Sequence, residues 1–292
     1  MAYPSLEGRS VIITGAGRGF GRLMALGLVA AGARVLGTAG RSQQELQQTA
    51  QLAADLGRGE FVGITSDVSQ FDACQACIEK ALESFGRIDV LINNAARGPL
   101  EANDDYFSAK PPFWTAPPEA YARMVQTNLT GAFFMARACT PLMLQQGFGR
   151  IVNISTSRPT MVMQGLAAYG ATKAGLEAAT VLWAKDLAGS GVTANVLLPG
   201  GPADTALIPG GTIGTRAIKD FKAGQGAAGD EGRTVGILPP EIMLPPTLWL
   251  SADESADFNG RRIIAKDWDP DLPPAQAAAN ATDPIADAPR VM

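Results

Sequence analysis

Residues 11–21 read V-I-I-T-G-A-G-R-G-F-G. An apolar, β-branched run ends at Thr14, glycines follow at Gly15, Gly19 and Gly21, and an amphipathic stretch begins immediately afterwards. This order predicts a strand that enters a helix through a turn too tight for side chains. Gly15 then permits the turn, Gly19 lets a pyrophosphate approach the backbone, and Gly21 packs the helix against the strand. We therefore predict a dinucleotide site, with the diphosphate on the free N–H groups that begin the helix.

The composition is typical of a cytoplasmic globular protein. Of 292 residues, 46% are apolar, 18% are charged, and the net charge is −4. Nucleic acid or an anionic membrane would require clustered Lys and Arg, so we expect neither as a partner. No apolar run approaches the roughly 20 residues that cross a bilayer, and the first ten residues lack the apolar core of a signal peptide.

The side-chain inventory narrows the chemistry. The sequence contains no histidine, which removes Ser-His-Asp and Cys-His mechanisms and nearly every catalytic zinc site, so we expect no metal. Cys74 and Cys77 form a C-x-x-C, but they fall in an amphipathic helical pattern with no further ligand nearby. Packing is favoured for them over a redox or metal role. Any proton transfer must use Tyr, Lys, Asp, Glu, Cys or a hydroxyl group.

Strand-like and helical segments alternate as far as about residue 200. Apolar strands separated by helices indicate a parallel sheet covered on both faces, which is a doubly wound (Rossmann) α/β domain with ligands at the carboxyl ends of the strands. Strands are predicted at 10–14, 34–38, 61–65, 90–93, 150–154, 193–198 and 262–265, and helices near 20–31, 43–55, 71–85, 119–146 and 167–188.

We assign residues 1–269 to one domain and residues 270–292 to a Pro- and Ala-rich tail, which we expect to be poorly ordered unless a neighbouring subunit holds it. Two segments, 97–118 and 199–246, break the alternation and are predicted to be substrate loops, because they far exceed the usual connection of ~4–6 residues. A surface excursion that packs its own aromatic residues explains 97–118 equally well.

The motif Y-G-A-T-K places Tyr169 and Lys173 on one face of a predicted helix. A lysine ammonium close to a phenol stabilises the phenolate and lowers the pKa of the phenol from about 10, which would make Tyr169 an acid and base near neutral pH. Such a pair is common by chance. Here Thr156 stands thirteen residues earlier at the end of a strand, N-N-A-A (93–96) ends another strand, and Asn128 follows in T-N-L-T.

Together these motifs resemble the short-chain dehydrogenase/reductase family, and most nearly its 3-oxoacyl-carrier-protein-reductase-like branch. The resemblance covers roughly residues 5–205, with a weaker echo to about 265. Its matching pieces stand in the family's order, and they are T-G-A-G-R-G-F-G (14–21), Asp67-Val68, N-N-A-A (93–96), Asn128, I-V-N-I-S (151–155), Y-G-A-T-K (169–173) and L-P-G-G-P-A-D-T (198–205). The branch contains many substrates.

The resemblance implies an oxidoreductase that interconverts a carbonyl and a secondary alcohol by hydride transfer. Tyr169 is then the acid/base, Lys173 its pKa-lowering partner and a ribose ligand, and Asn128 the holder of a water that links Lys173 to solvent. Thr156 supplies a hydroxyl to the substrate oxygen. The implied cofactor contacts are Gly15, Gly17, Arg18, Gly19, Phe20, Arg41, Asp67, Val68, Asn94, Ala95, Tyr169, Lys173, Pro199, Gly200 and Thr205.

Three departures from the family pattern are visible. Thr156 replaces the usual serine, so Ser155 or Ser157 could share its role, and Ala96 replaces the usual glycine. The usual glycine-ended C-terminal strand is here I-I-A-K-D-W-D. None of these changes removes an essential functional group, so we expect a catalytically competent chain.

The end of the second predicted strand indicates the cofactor. A carboxylate there selects the ribose 2′-OH of NAD, whereas arginine accommodates the 2′-phosphate of NADP. Positions 38–40 hold no acid, Arg41 follows directly, and Arg18 offers a second cation from the glycine loop. These features favour NADP over NAD, since paired guanidinium groups bind phosphate through charge-assisted hydrogen bonds. Two solvated surface arginines are the alternative.

Two other functions stay open. A non-catalytic dinucleotide-binding sensor or scaffold would retain the glycine loop, but such proteins often lose the acid/base group that Tyr169 provides. An epimerase or dehydratase acting on a nucleotide sugar would usually carry a larger C-terminal domain and a different glycine spacing.

Substrate and assembly are less specified. An apolar wall is predicted from aromatic and methionine residues, which favours a hydrophobic or aromatic ketone or alcohol, although each is also an ordinary packing residue. We expect a symmetric homo-oligomer, a tetramer or dimer, because the helices at 119–146 and 167–188 carry more apolar surface than one sheet face needs. The candidate wall residues are Phe107, Phe113, Trp114, Met161 and Met163.

Overall fold

The computed structural model describes residues 4–102, 110–203 and 237–283, and the backbone of two paired two-residue strands, Ala227–Ala228 and Thr234–Val235. Its main feature is a seven-stranded sheet in the order β3-β2-β1-β4-β5-β6-β7, with every neighbouring pair parallel. The predicted doubly wound α/β fold is confirmed. The strands are β1 (Ser10–Ile13), β2 (Arg34–Ala39), β3 (Glu60–Thr65), β4 (Val90–Asn93), β5 (Gly149–Ile154), β6 (Val192–Leu198) and β7 (Arg262–Ile264).

Nine α-helices connect and flank these strands within the described residues. They are α1 (Gly19–Ala30), α2 (Gln43–Ala54), α3 (Phe71–Phe85), α4 (Pro118–Val125), α5 (Gly131–Gln146), α6 (Arg158–Met161), α7 (Ala167–Asp186), α8 (Leu244–Leu250) and α9 (Pro274–Ala281). Short 3₁₀ turns occupy Pro99–Glu101, Phe113–Thr115, Pro240–Met243, Asp253–Ser255 and Ala265–Asp267. No helix in the described ranges combines the length and the apolar character that a membrane crossing would demand.

Alternating residues of β1 show that helices cover both faces of the sheet. Val11 and Ile13 belong to a core that includes Met24 of α1. Ile12, between them, belongs to a second core with Cys74 and Cys77 of α3. This is the period of two that a strand buried on both faces requires. The predicted packing role of the two cysteines is confirmed, and burial raises the pKa of Cys74 to about 11 and that of Cys77 to about 12.

The predicted helix at 119–146 is interrupted. It consists of α4, one π-helical turn at Gln126–Thr130, and α5. The predicted loop 199–246 also ends differently, because the 3₁₀ turn at Pro240–Met243 leads into α8, whose Leu244 contacts Gly27 of α1. Prolines in the sequence hid the helical periodicity of α8. They occupy positions in the first turns of the 3₁₀ turn and of α8, where a backbone N–H would have no helical partner.

The expectation of a poorly ordered tail from residue 270 is wrong for residues 270–283. Helix α9 buries Ala277, Ala278 and Ala281 in the core that also contains residues of α1 and α8, and it contacts β7 and the 3₁₀ turn at Ala265–Asp267. Thr282 then forms an antiparallel bridge with Ile263 of β7, and Asp283 is buried. The small alanine side chains that suggested disorder are what allow this helix to lie close against its neighbours.

Candidate active site

The glycine loop lies at the carboxyl end of β1, between β2 and β4. Gly15 has φ +72°, a left-handed conformation that side chains disfavour. A Cβ on Gly21 would lie 2.0 Å from the carbonyl oxygen of Gly15, so only glycine permits this helix to start so near the turn. Asn94 secures the loop from β4 by donating from Nδ2 to the carbonyls of Thr14, at 2.9 Å, and Gly15, at 3.1 Å.

The start of α1 is open to an anion. Its N-cap residue, Arg18, makes no side-chain capping hydrogen bond, and the first turn contains no acid. The free N–H groups at this helix start are suited to accept a phosphate, and the phosphate site stays a prediction. In the same cavity wall the buried hydroxyls of Thr38 and Ser155 have no hydrogen-bond partner among the described residues. Open N–H groups and unpartnered hydroxyls fit a dinucleotide.

A cavity of about 690 Å³ runs from this loop across the carboxyl ends of the strands. That volume lies within the range of small-molecule and cofactor sites. Gly200 is not among its wall residues, although Pro199 and Gly201 are, and Thr205 lies outside the described residues. The predicted site residues that line it are Gly15, Gly17, Arg18, Gly19, Phe20, Arg41, Asp67, Val68, Asn94, Ala95, Thr156, Tyr169, Lys173 and Pro199.

Tyr169 and Thr156 meet inside this cavity. Tyr169 projects from the first turn of α7 and Thr156 follows the end of β5, and both residues line the cavity, where the Thr156 side chain lowers the pKa of the phenol. The neighbouring hydroxyls are placed differently, since Ser157 Oγ is 2.8 Å from Thr160 Oγ1 and Ser155 Oγ is buried in the wall. Among the three candidate hydroxyls, Thr156 is therefore the one that influences the pKa of the phenol.

Lys173 lies one turn after Tyr169 and is almost completely buried. Its Nζ donates to the backbone carbonyl of Ile154 at 2.7 Å and lies 5.9 Å from the centroid of the Tyr169 ring. Burial lowers the pKa of Lys173 to about 8, against the opposing effect of the Glu177 carboxylate. Two functional groups are thus desolvated side by side.

The expected lowering of the phenol pKa is not what this geometry gives. Burial, the largest effect, raises the pKa of Tyr169 to about 12, and the Thr156 side chain offsets only part of this rise. Burial disfavours the charged form of both side chains, the phenolate of Tyr169 and the ammonium of Lys173. This desolvation outweighs the attraction between ammonium and phenolate that the sequence spacing suggested. Tyr169 is a neutral phenol at pH 7.

Asn128 lies in the π-helical turn, a distortion often found at functional sites. Its Oδ1 accepts from the backbone N–H of Arg97 at 2.7 Å, and its Nδ2 donates to the Arg97 carbonyl at 3.0 Å and to Thr172 Oγ1 at 3.2 Å. It does not line the main cavity, but it shares a small adjoining space with Lys173. The amide therefore fastens the segment after β4 to α7; its predicted water-holding role stays a prediction.

The cavity wall also contains a charged cluster that the sequence did not reveal. Arg97 Nη1 lies 3.0 Å from Glu101 Oε2, and Glu101 Oε1 also accepts from Arg123 Nε at 2.7 Å. These cations lower the pKa of Glu101 against the opposing effect of burial. Arg97 and Glu101 line the cavity, together with apolar side chains from Leu100, Met163 and Leu166.

The predicted aromatic wall is largely displaced. Phe113 and Trp114 are 71% and 74% exposed, and neither lines the main cavity. Phe113 instead borders a second cavity of about 260 Å³ that reaches the other side of Tyr169. Met163 is in the main wall, Met161 packs behind it against α7, and Phe107 falls outside the described residues.

The cofactor corner contains an acid that the sequence analysis missed. Arg18 and Arg41 both line it, as predicted, and so does Glu45 of α2. Glu45 Oε1 lies 3.7 Å from Arg18 Nη1, with the Arg18 side chain 67% exposed. No ion pair to Arg41 occurs within the described part of the chain.

Comparison with known proteins agrees with this geometry. A family model described as short chain dehydrogenase matches residues 9–209. The chain is 30% identical over 260 residues to a 3-oxoacyl-[acyl-carrier-protein] reductase of Escherichia coli (strain K12), covering 89% of this chain and 96% of that protein.

Two solved structures are similar as well. A Sinorhizobium meliloti 1021 structure assigned to the short-chain alcohol dehydrogenases gives a TM-score of 0.74 at 29% identity, covering 89% of this chain and 96% of that chain. A metagenomic short-chain oxidoreductase in complex with NADP gives 0.61 at 33% identity, covering 67% of this chain and 84% of that chain.

Proposed function

The chain belongs to the short-chain dehydrogenase family, whose members are NAD(P)-dependent oxidoreductases acting on CH–OH groups, and we propose that it interconverts a carbonyl and a secondary alcohol with NADP(H). The observation that carries this proposal is that Thr156, Tyr169 and Lys173 line the same cavity as the glycine loop. Two hydroxyl donors in one cavity can stabilise a substrate oxygen when it gains negative charge.

In this reaction Thr156, Tyr169, Lys173 and Ile154 each have a distinct role. A nicotinamide dinucleotide bound by the glycine loop would supply or accept the hydride. Thr156 and Tyr169 bind the substrate oxygen, and Tyr169 Oη gives that oxygen its proton during reduction or takes it during oxidation. Lys173, while protonated, stabilises the phenolate that reduction leaves behind. Ile154 holds the ammonium in place through its carbonyl.

The pKa of Tyr169, about 12, gives the two directions different pH dependence. The neutral phenol that reduction requires is fully present at pH 7, whereas the phenolate that oxidation requires is scarce there. We therefore expect the rate of alcohol oxidation to rise more steeply with pH than the rate of carbonyl reduction.

NADP is the proposed dinucleotide. Its support is the cationic pair of Arg18 and Arg41 in the cofactor corner and the NADP complex of the metagenomic relative. Glu45 in the same corner limits the preference, because its carboxylate pairs with Arg18 and would face the 2′-phosphate.

The substrate class we propose is a ketone with an apolar substituent. Leu100, Met163 and Leu166 in the cavity wall support an apolar substituent next to the reacting carbon. The 3-oxoacyl group named for the Escherichia coli relative belongs to this class. Arg97 and Glu101 add charged groups to the cavity wall, and a polar part of the substrate would contact them.

We further propose a symmetric homo-oligomer. Phe133 on α5 and Leu182 on α7 are large apolar side chains left substantially exposed on the helices for which association was predicted. Pairing these helices across a two-fold axis would cover both side chains.

A carbonyl screen tests the function directly. Wild type should oxidise NADPH with one or more aryl ketones, cyclic diones or 3-oxoacyl thioesters, and Tyr169→Phe should lower kcat by about 10²–10⁴. Its NADPH Kd should stay within twofold, since the phenol oxygen contributes mainly to the reaction. Wild-type turnover in the variant would refute the acid/base role. NADPH binding without turnover on any carbonyl would favour the sensor or scaffold alternative.

A further inference from the structure

Arg262, the first residue of β7, is buried among groups from four parts of the chain. Its Nε donates to both carboxylate oxygens of Glu177, at 3.1 and 3.0 Å, and its Nη1 donates to Asp283 Oδ2 at 3.1 Å. Its Nη2 donates to the backbone carbonyl of Thr156 at 3.1 Å. Asp283 also pairs with Arg158. We call Arg158, Glu177, Arg262 and Asp283 the Arg262 cluster.

The cluster joins the parts that carry the proposed chemistry. Glu177 is on α7, one turn after Lys173. The carbonyl that Arg262 binds belongs to Thr156, the residue whose side chain influences the pKa of Tyr169. We propose that Arg262, anchored by Asp283, is a positioning residue that fixes Thr156 relative to the catalytic face of α7. This inference rests on the proposed oxidoreductase function and assigns a role to residues beyond its reacting groups.

Stability alone does not account for such a cluster. Well-packed apolar residues are often as stable as a buried ion pair, because removing charges from water is costly. A guanidinium offers something apolar residues cannot, namely donors in a fixed planar fork. Here that fork holds a carboxylate on α7 with one nitrogen and a carbonyl beside the catalytic hydroxyl with another. Small displacements of reacting groups cost large factors in rate, so this bracing has catalytic value.

The cluster also sets the electrostatic surroundings of Lys173. Glu177 raises the pKa of Lys173 against the larger effect of burial. The Arg262 guanidinium, 3.0 Å from that carboxylate, offsets part of its potential. Removing Arg262 and neutralising Glu177 should therefore shift the titration of Lys173 in opposite directions. Besides Tyr169 and the Arg262 cluster, the charged groups of the cavity wall that Lys173 shares are Arg18, Arg41, Glu45, Asp67, Arg97 and Glu101.

The test compares Arg262→Met, Arg262→Lys, Glu177→Gln and Asp283→Asn with wild type. For each full-length variant, kcat and KM for ketone reduction are measured from pH 6 to 10, NADPH Kd by fluorescence titration, and Tm by calorimetry. The matched control is Asp89→Asn, which breaks a buried carboxylate's contacts with Arg87 at the opposite, amino-terminal end of the sheet.

We expect Arg262→Met to lower kcat at least tenfold with NADPH Kd within twofold, and Arg262→Lys to recover part of the loss. Asp283→Asn should lower kcat about threefold or more. The alkaline limb of the kcat profile is the fall of kcat at high pH as Lys173 loses its proton. The pH of this alkaline limb should rise for Arg262→Met and fall for Glu177→Gln. Asp89→Asn should lower Tm and leave both kcat and the pH of the alkaline limb unchanged.

Several results would overturn the inference. One is an Arg262→Met enzyme with wild-type kcat at a temperature where it is folded. Another is a limb that moves in the same direction in Arg262→Met and Glu177→Gln. If Arg262→Met does not fold, wild-type kcat and pH limb in both Asp283→Asn and Glu177→Gln decide against it. If the wild-type protein shows no turnover, the proposed function is wrong. If the wild-type protein is active and the variants of the Arg262 cluster keep its kcat and pH profile, only this inference is wrong.

Discussion

Replacing Glu45 by Gln should strengthen NADPH binding and leave NADH binding unchanged. Glu45 occupies the cofactor corner and lies 3.7 Å from Arg18, a cation expected to meet the 2′-phosphate. A phosphate arriving there must share Arg18 with the carboxylate and also approach its negative charge. NADH has no phosphate at this position, so Glu45 should be indifferent to it.

The magnitude follows from the distance and the exposure of the pair. Two unit charges 3.7 Å apart interact by about 1 kcal/mol in a water-like medium. Measured exposed pairs contribute about 0.2–1 kcal/mol, and Arg18 is largely exposed. Glu45→Gln should therefore lower the NADPH Kd by about two- to fivefold. Arg41→Ala should raise it by about tenfold to a hundredfold, since a hydrogen bond to a charged group contributes about 1.5–3 kcal/mol.

Fluorescence titration with NADPH and NADH measures both constants for each variant. Glu60→Gln is the matched control, because it removes an equal charge at the amino end of β3, away from the cavity. The gain in Glu45→Gln should shrink in high salt, as expected for exposed charges. Equal changes for the two dinucleotides would refute the reasoning about the 2′-phosphate. A wild type that binds NADH more tightly than NADPH would refute the choice of cofactor itself.

Three further outcomes are expected. Thr156→Ser should retain turnover, whereas Thr156→Val should lower kcat by removing a donor while conserving shape; equal rates for Val and Thr would transfer the role to another hydroxyl. The kcat for reduction should fall as pH rises through about 8, where Lys173 loses its proton, and a profile flat from pH 7 to 10 would contradict this. Light scattering at micromolar concentration should give a dimer or tetramer, and a monomer would contradict the association of α5 and α7.

The parts of the site that sequence predicted are those encoded locally. The glycines at the end of β1 and the Tyr169–Lys173 spacing each specify a conformation within a few residues, so strand, turn and helix followed from pattern alone. Thr156 was placed by its position at a strand end, since the carboxyl ends of parallel strands share one edge of the sheet.

What escaped prediction depends on burial and on distant contacts. The direction of the Tyr169 pKa shift is set by desolvation, which spacing does not report. Glu45 belongs to a polar helix whose sequence shows no functional pattern, and it reaches the site because α2 packs beside Gly17. Asp283 lies beyond a Pro- and Ala-rich stretch, and only its ion pair with Arg262 in the folded protein connects it to the site.

That last contact has a consequence for how the protein is made. Tyr169 leaves the ribosome more than a hundred residues before Asp283, which at about 5–20 residues per second is a delay on the order of ten seconds. During that time β1 to β6 are available, while the residues of α8 and α9 that complete the core containing Val11 and Met24 are still being synthesised. The hydrogen bond from Arg262 to the Thr156 carbonyl forms only after β7 has joined the sheet. The positioning of Thr156 is therefore among the last features of the site to be acquired during synthesis.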